Sequence, residues 1–124
     1  MTFKLKTSKR TMDIFKNMEA SQNLQPFALS KLAIALSIKR GALSDIEYKT
    51  DNEGLEMNRQ TIFGEYDLLF RTLVEMVDKR NIAEDNYFPK MVKAHLDRGA
   101  ILLENEDKYS KEFYNYLCNL DAGI

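Results

Sequence analysis

Tryptophan is absent from this chain, and cysteine and histidine each occur once, at Cys118 and His95. One thiol and one imidazole fall short of the usual ligand counts for a zinc site or an iron–sulfur cluster, and of a Cys–His catalytic pair; they also exclude a disulfide framework. Two prolines in 124 residues leave few obligatory breaks, which favours helix. The longest apolar tract, Leu32 to Ile38, is interrupted by Ser37 and falls far short of the roughly 18 to 20 residues of a membrane span. Residues 1–6 have no signal-type apolar core, so a cytoplasmic protein is expected. The chain also lacks a glycine-rich phosphate loop, a Gly-x-Ser-x-Gly elbow and a His-Glu-x-x-His pair. Hydrophobic residues make up 44% and charged residues 30%, enough of both for one soluble, ordered domain over residues 1–124.

Total charge is near balance, with 18 Lys and Arg against 19 Asp and Glu, but its distribution is not. Residues 1–40 hold Lys4, Lys6, Lys9, Arg10, Lys16, Lys31, Lys39 and Arg40 against Asp13 and Glu19, a net of plus six. Residues 41–124 carry ten cationic and seventeen anionic side chains, a net of minus seven. Such a sequence dipole fits a basic part that faces a polyanion and an acidic remainder that limits indiscriminate adhesion. The eight cations are candidate phosphate contacts.

Phe3 to Thr7 alternates apolar and basic residues and predicts a short strand. Thr7 or Ser8 can cap a first helix to about Ala20, closed by Ser21-Gln22-Asn23. Pro26 opens a second helix that stops at Gly41. Leu29, Leu32, Ala33 and Leu36 line one side of it and Phe27, Ile34 and Ile38 another, so it needs two covers, from its own core or from another subunit. Residues 41–57 read as an acidic loop whose spacing does not match the helix-loop-helix calcium pattern. Asn58 is expected to cap a third helix to about Arg80, with Ile62, Tyr66, Leu69, Leu73 and Val77 facing inward and Gly64 explained by close approach of another backbone. A fourth helix is expected from Glu84 to Glu104 and a fifth from Asp107 to Leu120, the latter with an apolar stripe of Tyr109, Phe113, Tyr116, Leu117 and Leu120. The expected fold is mainly α, about five helices after a short N-terminal strand, with residues 58–124 as the helical remainder.

Catalysis has few places to reside. His95 lies near an inner helical stripe and reads as a structural hydrogen-bonder, and Cys118 has no basic neighbour nearer than Lys111 to activate it. No metal and no cofactor is expected.

Leu5-Lys6-Thr7-Ser8, Leu32 to Ser37, the block Gly54 to Glu65 and the block Ala94-His95-Leu96-Asp97-Arg98-Gly99 together resemble the DndE family, the small subunit of bacterial DNA phosphorothioation. The resemblance spans about residues 5–103 and does not reach the last twenty. It implies a mainly helical protein with a ribbon-helix-helix-like N-terminal part. It also implies a homotetramer that binds duplex DNA with a preference for nicks, beside sulfurtransferase-like and ATPase subunits, and that is itself not an enzyme. Lys4 and Lys6 suit phosphates better than a base code. Arg59 and Arg98 are expected to hold acidic partners within the fold. Two other functions fit the same residues: a ribbon-helix-helix repressor or antitoxin, and a scaffold that bridges proteins without touching DNA.

Overall fold

The structure is a computed structural model that describes residues 3–79 and 83–122, with side chains through Lys111. Strand β1 (Lys4–Lys6) leads into α1 (Lys9–Gln22) and α2 (Pro26–Arg40). A loop holding a 3-10 turn at Asp45–Tyr48 carries the chain to β2 (Glu56–Asn58), α3 (Arg59–Phe63) and α4 (Asp67–Asp78). The one-turn helix α5 (Glu84–Asn86) and a π-turn at Tyr87–Val92 precede the long α6 (Lys93–Ala122). Four of these helices, α1, α2, α4 and α6, carry the mainly helical fold, one fewer than the sequence suggests.

The local signals act as written in the sequence. Ser8 caps α1 by accepting a hydrogen bond from Thr11 N, and Asn23 ends the helix in the left-handed conformation. Pro26 occupies the first turn of α2, and Gly41, at φ 118°, ends it. Such a φ is open to glycine and costly for any residue bearing a Cβ. Strand β1 pairs antiparallel with β2 of the same chain, Leu5 opposite Met57. The stretch expected to be an acidic loop therefore also supplies β1 with its partner.

Four expectations need correction. The third helix is not continuous to Arg80: α3 ends at Phe63, a 3-10 turn follows, and α4 restarts at Asp67. Gly64 is the cause, at φ 52° with nothing within 4 Å of a would-be Cβ. Backbone conformation demands this glycine, and no neighbouring backbone does. The break shifts the helical phase, so Val74 points inward while Tyr66 and Leu69, expected in the core, are exposed.

From Lys93 onward the helices expected at 84–104 and 107–120 are instead one α6, while residues 84–92 form α5 and the π-turn that holds Pro89. The carboxylates that suggested a junction continue the helix through i,i+4 pairs, Glu104 with Lys108 and Asp107 with Lys111. Of the stripe expected beyond 107, Tyr109 is exposed, and the side chains of Phe113, Tyr116, Leu117, Cys118 and Leu120 lie outside the described residues.

Helix α6 is the spine, with α2 packed along it and α1 beside both. The crossing of α2 and α6 is tightest at Gly99, where a Cβ would overlap the Ala33 carbonyl. Helix α2 is covered within the chain by α6, α1, α3 and α4, with Leu29, Ala33 and Ile34 fully buried. Phe27 and Leu32 remain exposed on it. Among the described residues no helix is long and apolar enough to cross a membrane.

Candidate nucleic-acid interface

The cationic corner begins at the two-stranded sheet. Alternation buries Leu5 and turns Lys4 and Lys6 outward. Thr7 then zips the strand's exit to the far loop: its N–H donates to Leu55 O, its hydroxyl oxygen accepts from Leu55 N, and its carbonyl accepts from Gly54 N. Gly54 has to be glycine here, since a Cβ would run into Ser8 O and Thr7 Oγ1.

Asp97, on α6, fixes the next residues and is itself only 2% exposed. Its Oδ1 accepts from Ser8 N at 3.0 Å and Thr11 Oγ1 at 2.7 Å. Its Oδ2 accepts from Thr50 Oγ1 at 2.6 Å and Lys93 Nζ at 2.7 Å. One buried carboxylate thus clamps the start of α1, the 49–54 loop and α6 together. A buried charge is tolerated only when its oxygens are answered in this way.

The N-terminus of α1 is likewise occupied. Asp51 Oδ1 accepts from Lys9 N at 2.8 Å and from Glu53 N at 3.0 Å, and Ser8 Oγ accepts from Thr11 N. These bonds, that from Lys9 N foremost, hold the Asp51 carboxyl below its ordinary pKa. An anion such as phosphate would have to displace Asp51 to reach those amides, so at this corner the side chains, not the helix end, are available to a polyanion.

The eight candidate cations do not converge on one spot. Lys4 and Lys6 share the open face of the sheet, with Lys4 Nζ 3.7 Å from Glu56. Lys9 and Lys16 are exposed two turns apart on one face of α1, with Asp13 between them. Arg10 turns toward α6 and meets Glu104 at 3.3 Å. Lys39 and Arg40, in the last turn of α2, line a groove with Leu36, Leu102 and Glu106. Glu104 and Glu106 are about 200° apart around α6, so Arg10 and the Lys39–Arg40 pair lie on opposite flanks of that helix. Lys31 is half-buried.

The polar residues of the matched blocks lie mostly inside the fold. Arg59 is 8% exposed and chelates Asp67 with two nitrogens, at 2.6 and 2.7 Å, while a third reaches Glu84 at 2.7 Å. Glu84 also accepts from Arg71, and both guanidinium groups lie 5.0 Å from the Tyr87 ring. Arg98 donates to the Ser37 and Gly41 carbonyls at the end of α2 and to Glu47. Both arginines thus hold acidic partners in the fold, as read from the sequence.

Sequence reasoning missed one constellation with the shape of a catalytic relay. Arg98 Nε donates to Ser37 Oγ at 2.8 Å, Ser37 Oγ lies 2.7 Å from His95 Nδ1, and His95 Nε2 lies 2.9 Å from Asp78 Oδ2. The run is consistent if the neutral imidazole carries its proton on Nε2 and donates it to Asp78, an assignment made from the bonding pattern. Ser37 and His95 are both 0% exposed, so no substrate carbonyl or phosphate can approach the hydroxyl. Here a serine, a histidine and an aspartate join α2, α6 and α4. The pointer in the sequence was Ser37 four residues before the helix-ending Gly41, which a list of nucleophile motifs does not include.

Burial, the leading cause, lowers the His95 pKa against the opposing pull of Asp78. The folded protein therefore resists protonating a group that titrates near 6.5 when unfolded. Stability should be full above that value and fall as pH drops from about 7 to 5, because the unfolded chain takes up the proton first. Denaturation midpoints across that window would check it, with His95→Gln as the control. A decline of the same size in the variant would refute the assignment to His95.

A cleft of about 250 Å³ lined by Tyr48, Thr50, Asn52, Pro89, Lys90, Lys93 and Ala94 lies beside the clamp, yet the Lys93 ammonium is engaged by Asp97 and by Thr50 Oγ1 at 2.5 Å. Among the described residues no group of three His, Cys, Asp or Glu side chains could hold a metal ion.

Comparison with known proteins adds an independent line. A family model described as DNA sulphur modification protein DndE matches residues 4–111. The crystal structure of DndE from Escherichia coli B7A, involved in DNA phosphorothioation modification, is similar with a TM-score of 0.67 at 18% identity, over 83% of this chain and 97% of that one. A crystal structure of a DndE mutant involved in DNA phosphorothioation gives 0.66 at 19% identity, over 83% and 98%. At such identities the likeness concerns the fold. No curated protein matches the chain.

Proposed function

Because this chain belongs to the DndE family of DNA sulphur modification proteins, we propose that it serves phosphorothioation as a non-catalytic subunit that grips the duplex phosphate backbone, with a preference for nicks. The observation that carries this is the clamped corner: Lys4, Lys6 and Lys9 are exposed on a strand and helix start that Asp97 and Thr7 hold in place, with Lys16 exposed two turns further along α1. Such a corner presents its charges on a backbone that needs no reordering on binding, which leaves only the lysine side chains to be ordered. Phosphates are the fitting target, since flexible lysines positioned by a strand and one helix face offer no bidentate base readout. Arg10 would join them by leaving Glu104, an exposed pair worth at most about 1 kcal/mol. Lys39 and Arg40 form a second contact set on the other flank of α6, reached by a bent duplex or from another subunit of a homotetramer, and the half-buried Lys31 stands apart from both sets.

The non-catalytic reading is supported by where the polar chemistry lies. Replacing a phosphate oxygen by sulfur calls for an activated thiol or persulfide, and the serine–histidine–aspartate run is sealed inside the fold. Sulfur transfer then belongs to the sulfurtransferase-like and ATPase partners that the family resemblance implies, in the cytoplasm.

Charge reversal of Lys4, Lys6, Lys9 and Arg10 together tests the reading. For every phosphate that is no longer neutralised, the slope of log K against log salt should flatten by about 0.9. Titration of nicked and intact duplex at two salt concentrations should show a shallower slope and weaker binding to both. An unchanged slope would refute the proposal, and tight binding to a single palindrome alone would favour a repressor.

A further inference from the structure

We propose that the cleft between the 49–54 loop and the π-turn receives the unpaired nucleotide at an open end of a DNA strand, with its base against Tyr48 and its phosphate at Lys90. The inference rests on the phosphate-gripping reading above and supplies what that reading lacks, a means of telling a nick from an intact duplex.

The walls of the cleft come from distant parts of the chain. The Tyr48 hydroxyl donates to Met91 Sδ at 2.9 Å, which holds the half-buried ring as a fixed wall. The π-turn buries Met91 and Val92 and leaves Pro89 half-buried and Lys90 exposed at the rim. At about 250 Å³ the cleft lies just below the usual range of small-molecule sites, with room for one nucleotide-sized group and little more.

What these walls offer is mainly hydrogen-bond donors. Among the described residues, the Asn52 amide and the Lys90 ammonium have no protein partner. Lys93 gives two of its three ammonium hydrogens to Asp97 and Thr50 and keeps one. The neighbouring carboxylates are turned elsewhere, Asp97 into its buried clamp and Asp51 to Lys9 N and Glu53 N. A ligand with many acceptors and one flat face is matched here, and a nucleotide has both. Its base can stack on Tyr48 whatever the sequence, and Asn52 can donate to and accept from a base edge at once.

Continuity with the cationic corner selects a strand end over a free nucleotide. Thr50 and Asn52 line the cleft and flank Asp51, which is bonded to Lys9 N, so a strand held by Lys4, Lys6 and Lys9 passes its mouth. A base inside an intact duplex must leave its stack and its partner to enter, whereas a base beside a nick has lost one covalent neighbour and leaves more cheaply.

Two measurements on the full chain test this. In Asn52→Ala, which removes an exposed side chain without a protein partner, affinity for nicked duplex should fall about tenfold, while affinity for intact duplex of the same sequence stays within about twofold. Charge reversal of the four corner cations lowers both, so the two readings fail differently. No loss in Asn52→Ala, or equal losses on the two duplexes, overturns the cleft and leaves the backbone grip standing. With the unaltered chain, 5-iododeoxyuridine at the nick should photo-cross-link to Tyr48, and the same base in mid-strand should not. Cross-linking only elsewhere, or equally from mid-strand, overturns the proposal. So does a deoxynucleoside monophosphate that binds as tightly as nicked duplex, which would make this a free-nucleotide site. A parent chain that retains neither duplex overturns the proposal together with the backbone grip.

Discussion

Asp97→Ala should remove about 3–5 kcal/mol of folding stability, the cost of leaving a buried ionic partner uncompensated. Lys93 would keep a buried ammonium hydrogen-bonded to Thr50 but without its ion-pair partner, while Ser8 N and Thr11 Oγ1 would each lose an acceptor. Exposed pairs such as Lys4–Glu56 are worth a few tenths of that, so they cannot offset the loss. Small domains hold only about 5–15 kcal/mol in total, which places the variant near the edge of folding. Urea denaturation at neutral pH measures the cost. Asp97→Asn separates charge from shape and should recover part of it. A loss below about 1 kcal/mol in the alanine variant would mean that the corner is held by something else. Amide exchange at Ser8 and Lys9 should quicken in both variants even where the rest of the chain stays protected.

Gly99→Ala carries the second large effect, and its sign is the informative part. In an exposed helix interior the change would stabilise by up to about 1 kcal/mol. At Gly99 the new methyl meets the Ala33 carbonyl and Cα of α2, backbone atoms that cannot rotate away. Helices α2 and α6 must separate along their most extensive contact, at a cost of about 3 kcal/mol, the upper range of overpacking. Thermal melts of the two proteins decide it. A variant as stable as the parent or more so would refute the close approach. Compensation by a smaller residue is closed off, because the obstacle is the main chain of Ala33 and not its side chain.

Much of the fold was legible because its punctuation is local. Ser8, Pro26, Gly41 and Asn58 each act on a neighbouring backbone amide or torsion, so a window of a few residues contains their whole effect. Gly64 was visible as a break, but whether a glycine answers a torsion or a neighbour depends on atoms distant in sequence, and here Gly64 and Gly99 fall on opposite sides of that choice. The outward phase of Leu69 was hidden for the same reason, since periodicity was carried across a break that reset it. The basic residues were easy to enumerate, yet their division into two flanks follows from how α6 orders its neighbours. Asp97 drew little notice because, besides Lys93 one turn away, its partners Ser8, Thr11 and Thr50 come from two distant stretches of chain. The blocks Gly54–Glu65 and Ala94–Gly99 mark a family chiefly by the scaffold that they build, with Gly54, Arg59, Asp97 and Arg98 each fastening one element to another.

The pairing of β1 with β2 inside a single polypeptide separates construction from assembly. Where two chains must lend each other a strand, neither is finished alone, and dilution unfolds what it dissociates. Here the chain completes its own ribbon, Leu5 opposite Met57. A chain whose ribbon is paired internally should therefore keep its fold at any dilution.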